Sequence, residues 1–364
     1  MKYIDEFRNK NLITRALARI KAITPGEKID IMEVCGTHTQ SFFRFGLDKL
    51  LHADVNLIAG PGCPVCVSTQ GYIDQAITLA QKKDNIILTF GDMLRIPGSK
   101  SSLEKERAKS ANVRVVYSAL DSIKVAKQNP DKKVIFLAVG FETTAPTIAL
   151  SILNAKKENL KNLSFFSSLK LIPAAMEYLV QDKRLNLKGF LCPGHVSTII
   201  GAQPYEFIPK RYGIGCCISG FEPLDILEGI YMLIKQVVDK NPKVANQYVR
   251  AVKRNGNLKA KRLMAQTFKT TDAYWRGLGK ISKSGLKIKN DFSQFDAEKI
   301  FSLKQANRQT GKQATQCQCG DILKGLVSPL DCVLFSKVCR PDNPIGPCMV
   351  SSEGACSAYY RYKN

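Results

Sequence analysis

Lys133-Val-Ile-Phe-Leu-Ala-Val139, followed at once by Gly140-Phe-Glu-Thr-Thr144, decides the fold. A short, very apolar run that stops at a glycine and hands over to a carboxylate and two hydroxyls reads as a strand ending in a loop. The arrangement recurs on both sides. Asp30 to Val34 runs into Cys35-Gly-Thr-His38, Val55 to Ala59 into Gly60-Pro-Gly-Cys63-Pro-Val-Cys66, and Gly189 to Leu191 leads through Cys192 to Pro193-Gly-His-Val-Ser197. Asn85 to Phe90, Val113 to Tyr117, Leu163 to Ser167 and Gly215 to Ile218 complete the candidate strands, and amphipathic helical stretches separate them. Strands alternating with helices predict an α/β fold with parallel sheets and crossover helices. In such sheets ligands bind beyond the carboxyl ends of the strands, so the distinctive loops are expected to converge on one crevice.

The break at Asn129-Pro130-Asp131 suggests two α/β domains, 25–130 and 131–240. Beyond Asn241-Pro242 the pattern turns helical and then irregular, giving a third unit, 241–364, to which 1–24 is a candidate addition. From Gln316 the chain is rich in Cys, Pro and Gly, and ordering such a segment calls for a cross-link such as a metal cluster.

Composition narrows the function. The hydrophobic content of 45% supports a real core, and no apolar run approaches the ~20 residues that span a bilayer. The start of the chain lacks the apolar segment and cleavage site of a secretory signal, so the expected location is the cytosol, with no membrane partner. The net charge of +23 is spread in lysine pairs such as Lys82-Lys83 and Lys156-Lys157, without an arginine stripe, and nucleic acid is not an expected partner.

Twelve cysteines are the anomaly, because a reducing cytosol disfavours structural disulfides and turns clustered thiols toward metal, iron–sulfur or redox chemistry. Six of the twelve, Cys317, Cys319, Cys332, Cys339, Cys348 and Cys356, share the tail. Thiolates are soft ligands and four close a cubane cluster, which leaves two over. Spacing does not separate Cys317 from Cys319, or Cys348 from Cys356, as ligands. A zinc site that merely folds the tail is the rival, disfavoured because the tail has no C-x2-C knuckle.

Cys35 and His38 sit three residues apart on a strand-to-helix turn, able to offer iron a sulfur and a nitrogen, or to act as a catalytic Cys/His pair. Cys63 and Cys66 form a C-x2-C ahead of a helix, the placement of a redox pair. Glu142 and His195 close two further loops, where a helix cap by Thr143 or Thr144 and a structural imidazole are the plainer explanations. Cys192, Cys216 and Cys217 read as buried core.

The motifs CGTHT, GPGCPVC, GFETT, PGHVS, GFEPLD (Gly220 to Asp225) and the tail CQCG to GPCMVSSEGAC stand here in the order found in the HypD hydrogenase maturation family, and the resemblance spans residues 30–360. It implies a scaffold that, with the small chaperone HypC, holds iron and accepts CO and the cyanide that HypE carries as a thiocyanate. The product is the Fe(CN)2CO unit of [NiFe] hydrogenase, whose large subunit is reached through HypC. A maturation scaffold is implied rather than a conventional turnover enzyme. Carried over by motif, Cys35 and His38 would meet the Fe(II) bearing CN and CO. Cys63 and Cys66 would be the nearby redox pair, and Glu142 and His195 would line the same cleft. Cys317, Cys332, Cys339 and Cys356 would hold a [4Fe-4S] cluster, and Cys319 and Cys348 would form a dithiol beside it, similar to ferredoxin-thioredoxin reductase. Gln40 stands where many relatives have a second His, and Val67-Ser-Thr69 where a Pro often follows. A free-standing iron–sulfur disulfide reductase is the alternative.

Overall fold

The computed structural model describes residue 2, residues 4–303 and residues 316–363. Its strands are β1 (Ile29–Glu33), β2 (Val55–Ala59), β3 (Asn85–Thr89), β4 (Val113–Val115), β5 (Lys133–Gly140), β6 (Leu163–Lys170), β7 (Leu187–Pro193), β8 (Gly215–Ser219), β9 (Val244–Asn246), β10 (Phe268–Trp275) and β11 (Gly279–Ile288). Every run read as a strand from the sequence is one. A five-stranded sheet, β2-β1-β7-β8-β9, is parallel throughout. A six-stranded sheet, β10-β11-β6-β5-β3-β4, is parallel except where β11 and β10 join antiparallel.

The expected halves are corrected by this topology. The stretch 25–130 gives β1 and β2 to the first sheet but β3 and β4 to the second, and 131–240 is divided in the same way. The break at Asn129-Pro130-Asp131 is a turn within the second sheet, between β4 and β5. Local periodicity marks a strand, whereas the sheet it joins is set by where a long crossover lands. The unit 241–364 is also revised. After the helix Leu258–Thr267 the chain forms the β10–β11 hairpin, which extends the second sheet through Gly285 and Leu286 opposite Lys170 and Leu169. The segment 1–24 belongs elsewhere: helix Lys10–Ile23, capped by the Asn9 side chain, packs on helix Pro223–Val238 behind the first sheet.

One apolar core joins the first sheet to the C-terminal segment, and a second fills the outer face of the other sheet. The sheets are tied through Tyr72, which stacks on Phe166 at 4.3 Å and donates its hydroxyl to the Phe166 carbonyl at 2.8 Å. Residues 316–363 contain only short helices, as expected, and lie against edge strand β2 and helix Gly36–Arg44. Gly325, at φ +76°, makes that approach possible, since a Cβ there would stand 2.5 Å from Ile58 Cγ2. Phe43 and Tyr359 meet ring to ring at 4.4 Å. Among the described residues no helix is long and apolar enough to cross a membrane.

Candidate functional site

In the first sheet β1 and β7 are neighbours whose onward connections run to β2 on one side and to β8 on the other, which opens a crevice beyond their carboxyl ends. The loops after β1, β2, β7 and β8 carry Cys35, Cys63-Pro-Val-Cys66, His195 and Gly220-Phe221, and the C-terminal segment closes over the first two.

Cys35 is the residue before helix Gly36–Arg44. Its amide donates to the Glu33 carboxylate at 2.8 Å, the Thr39 hydroxyl holds the other Glu33 oxygen, and the Thr37 hydroxyl donates to Glu353 at 2.7 Å. Two acids thus flank one buried thiol. Burial, then Glu353 and Glu33, push Cys35 up to about 12, against the pull of the His38 and Thr37 amides at the helix start. Glu33 is pushed up to about 8 by burial, which outweighs its bonds from Thr39 and Cys35. Glycines allow the tight closure: a Cβ at Gly62 would lie 2.3 Å from the Cys35 nitrogen, and one at Gly36 would lie 2.3 Å from the Glu353 carbonyl oxygen.

Cys63 and Cys66 lie in the turns before helix Gln70–Ala80 and are 2% and 0% exposed. The Cys66 amide faces Cys63 Sγ at 3.3 Å, and the Cys66 thiol faces the Pro347 carbonyl at 3.7 Å. Burial raises Cys66 well above a usual thiol, and hydrogen-bonding contact with Cys348 and Cys63 raises it further. Cys348 in turn meets Cys319 and Cys356, and Cys319 meets Cys317. A continuous series of thiols, Cys63, Cys66, Cys348, Cys319, therefore runs from the β2 loop into the tail.

The series ends at a cavity of about 290 Å³, counting space that opens to solvent, lined by all six tail cysteines with Ile322, Leu334, Phe335, Gly346 and Met349. Cys339 lies close enough to Cys317 and Cys332 to feel their charge, and Cys356 does the same with Cys317 and Cys339. Cys319 is pushed up to about 12: a bond from Cys317 lowers it, and Cys348 with burial more than reverses that. Soft donors crowded in an apolar cavity, with no carboxylate in its wall, suit iron–sulfur ligation. Among the described residues no three His, Cys, Asp or Glu side chains are grouped to hold a single ion.

The remaining expected residues are not gathered at one point. His38 is fully buried, its Nε2 donates to the Gly220 carbonyl at 2.9 Å with Ser219 O at 3.2 Å, and its Nδ1 has no partner. Burial, opposed by those carbonyls, holds it down to about 4. His195 is exposed and stacks on Phe221 at 4.1 Å, while His38 meets the same ring at 4.9 Å. Glu142 lies apart, at the end of β5 in the other sheet. It lines a largely apolar cavity with Leu171, Pro173 and Phe207 that none of the cysteines enters. Its Oε1 accepts from the Ile172 amide at 3.0 Å and its Oε2 is unpartnered. The expected cap by Thr143 or Thr144 is absent, for helix Ala145–Lys157 has no side-chain cap bond. Cys192, Cys216 and Cys217 are fully buried in β7 and β8, as expected. Sequence reasoning passed over Glu33, Glu353 and Arg276. An acid two residues before Cys35, at the end of an apolar strand, was the available signal for the first.

These features define an α/β protein in which buried thiols join two separate cysteine motifs. Comparison with known proteins gives the particular family. The HypD model described as "Hydrogenase formation hypA family" matches residues 11–363. The chain is 47% identical over 370 aligned positions to the hydrogenase maturation factor HypD of Azotobacter vinelandii, covering 100% of this chain and 97% of that protein. It is 41% identical over 371 positions to HypD of Escherichia coli K12, covering 100% and 98%. A third relative, the hydrogenase expression/formation protein HupD of Azotobacter chroococcum, is 47% identical at 100% and 97% coverage. The chain belongs to the HypD family of hydrogenase maturation factors.

Proposed function

We propose that this protein is a cytoplasmic scaffold on which, with a HypC-like chaperone, an iron ion acquires cyanide from HypE thiocyanate, and CO, to become the Fe(CN)2CO unit of [NiFe] hydrogenase. The observation that carries the reading is the thiol series whose first member, Cys63, follows Gly62, packed against the Cys35 backbone. Cys317, Cys332, Cys339 and Cys356 would hold a [4Fe-4S] cluster, which supplies electrons one at a time. The neighbours of Cys319 and Cys348 support a dithiol role, because this pair stands between the other four cysteines and Cys66.

Cys35 offers the iron cargo a sulfur ligand. A thiol held near 12 keeps its proton until a cation arrives, and formation of the S–Fe bond then expels that proton. Glu353, made more basic by burial, is the acceptor within reach, whereas Glu33, held up to about 8, keeps its own proton at neutral pH. His38 can add a nitrogen only through Nδ1, since Nε2 is committed to backbone carbonyls.

Releasing cyanide from a thiocyanate takes two electrons, which Cys63 and Cys66 can give by closing a disulfide. Contact order then sets the repair. Cys348 thiolate attacks Cys66 Sγ and frees Cys63 thiolate; Cys319 thiolate attacks Cys348 Sγ and frees Cys66 thiolate. The result is a restored Cys63/Cys66 dithiol and a Cys319–Cys348 disulfide, with two electrons passed from the tail pair to Cys63/Cys66 and no net change in protons.

Co-expression with the chaperone tests the reading. Infrared bands of iron-bound CO and cyanide are expected in the wild-type complex and absent from Cys35→Ala, whose cluster absorbance is retained. Bands that persist in Cys35→Ala would remove Cys35 from the iron.

A further inference from the structure

Arg276 follows β10, and the backbone pins it between the two cysteine motifs. Its amide donates to the Val67 carbonyl at 2.9 Å, one residue beyond Cys66. Its neighbour Gly277, at φ +81°, lies so close to Gly320, the residue after Cys319, that a Cβ there would stand 2.4 Å from Gly320 Cα. The side chain is 7% exposed and Nη1 has no hydrogen-bond partner. Among the described residues no carboxylate forms a salt bridge with it, and its charge acts on both Cys317 and Cys319.

A buried guanidinium without an anion is costly, and arginine cannot shed its proton to escape that cost. Cys317 and Cys319 lie in reach of its charge, and as neutral thiols they offer it nothing. A cubane held by four thiolates is anionic, gains a further negative charge on reduction, and has its potential set by nearby charge.

We infer that Arg276 is a positioning residue for electron transfer: its buried positive charge balances the anionic cluster beside Cys317 and holds the cluster's midpoint potential up. The inference rests on the cluster assignment of the proposed function. Without the charge the reduced cluster loses more stabilisation than the oxidised one, so the potential falls.

The test is an anaerobic redox titration of the full-length protein with dithionite, following the reduced cluster by electron paramagnetic resonance, for wild type, Arg276→Lys and Arg276→Gln. Iron and sulfide content are measured on each. Reduction of Arg276→Gln should be at least tenfold less favourable, a shift of about 59 mV to lower potential for a one-electron couple. Arg276→Lys should stay near the wild type. Loss of the cluster from Arg276→Gln with retention in Arg276→Lys would also support the charge role. Equal potentials in all three proteins would overturn the inference while leaving the cluster assignment standing, and loss of the cluster from both variants would assign Arg276 to packing instead. A wild-type protein without iron and sulfide would overturn the assignment itself and the inference with it.

Discussion

Gly62→Ala probes the closure of the site directly. The new methyl carbon would stand 2.3, 2.5 and 2.6 Å from the nitrogen, Cα and carbonyl carbon of Cys35. All three are backbone atoms at the end of a parallel strand, so relief requires the GPGCPVC loop to move away by about 1 Å, since ordinary carbon contacts begin near 3.5 Å. Overpacking of this kind costs about 1–3 kcal/mol, and a collision with backbone rather than with a side chain belongs at the upper end. With an unfolding entropy of about 2.1 cal/mol/K per residue, a loss of ~3 kcal/mol lowers the melting temperature of a 364-residue chain by about 4 °C. Gly91→Ala is the matched control: its methyl would meet only Val115 Cγ1, at 3.9 Å, and should cost less than about 0.5 kcal/mol. The assay is thermal unfolding under anaerobic conditions, together with alkylation of native protein to follow Cys63. Gly62→Ala should melt lower than Gly91→Ala and expose Cys63 to the reagent. Equal melting temperatures and an unreactive Cys63 would refute the packing argument.

Two pH responses follow from the buried groups. Burial lifts folded Glu142 from 4.5 to about 8, so between those values the folded chain holds a proton that the unfolded chain has released. Stability should therefore fall as pH rises through that window, by up to about 5 kcal/mol, and Glu142→Gln should flatten the slope in denaturant titrations run from pH 5 to about 8. On the acid side folded His38 is held down from 6.5 to about 4, so the unfolded chain binds the extra proton. His38→Gln should weaken the loss of stability as pH drops through that interval; an unchanged acid limb would show that the imidazole is not buried as a neutral base.

Much of the fold was legible because β1, β2, β5, β7 and β8 are short apolar runs that end in loops carrying Gly, Pro or Cys. What sequence did not reveal was long-range. Nothing local to Val55–Ala59 and Asn85–Thr89 says that the first joins Ile29–Glu33 and the second Lys133–Gly140. The β10–β11 hairpin was missed although Phe268–Trp275 is rich in aromatic and β-branched residues and Gly277 and Gly279 supply left-handed turn positions. Its charged residues, Lys269, Asp272, Lys280 and Lys287, gave the stretch an irregular look, and they fit a ribbon that pairs with β6 at only two residues. The cysteines of the site were legible by residue type, because clustered thiols have few roles in a reducing compartment. Arg276 and Glu353 were not, because a single charge reveals nothing about its burial until the chain is folded around it.

The two cysteine motifs form one connected series of thiols through Cys66 and Cys348. The most direct test removes their outer partners. In Cys63→Ser/Cys319→Ser, mild oxidation followed by alkylation and peptide mass mapping should yield a disulfide between Cys66 and Cys348. Recovery of both as separately alkylated thiols, in protein that retains its fold, would contradict the connection.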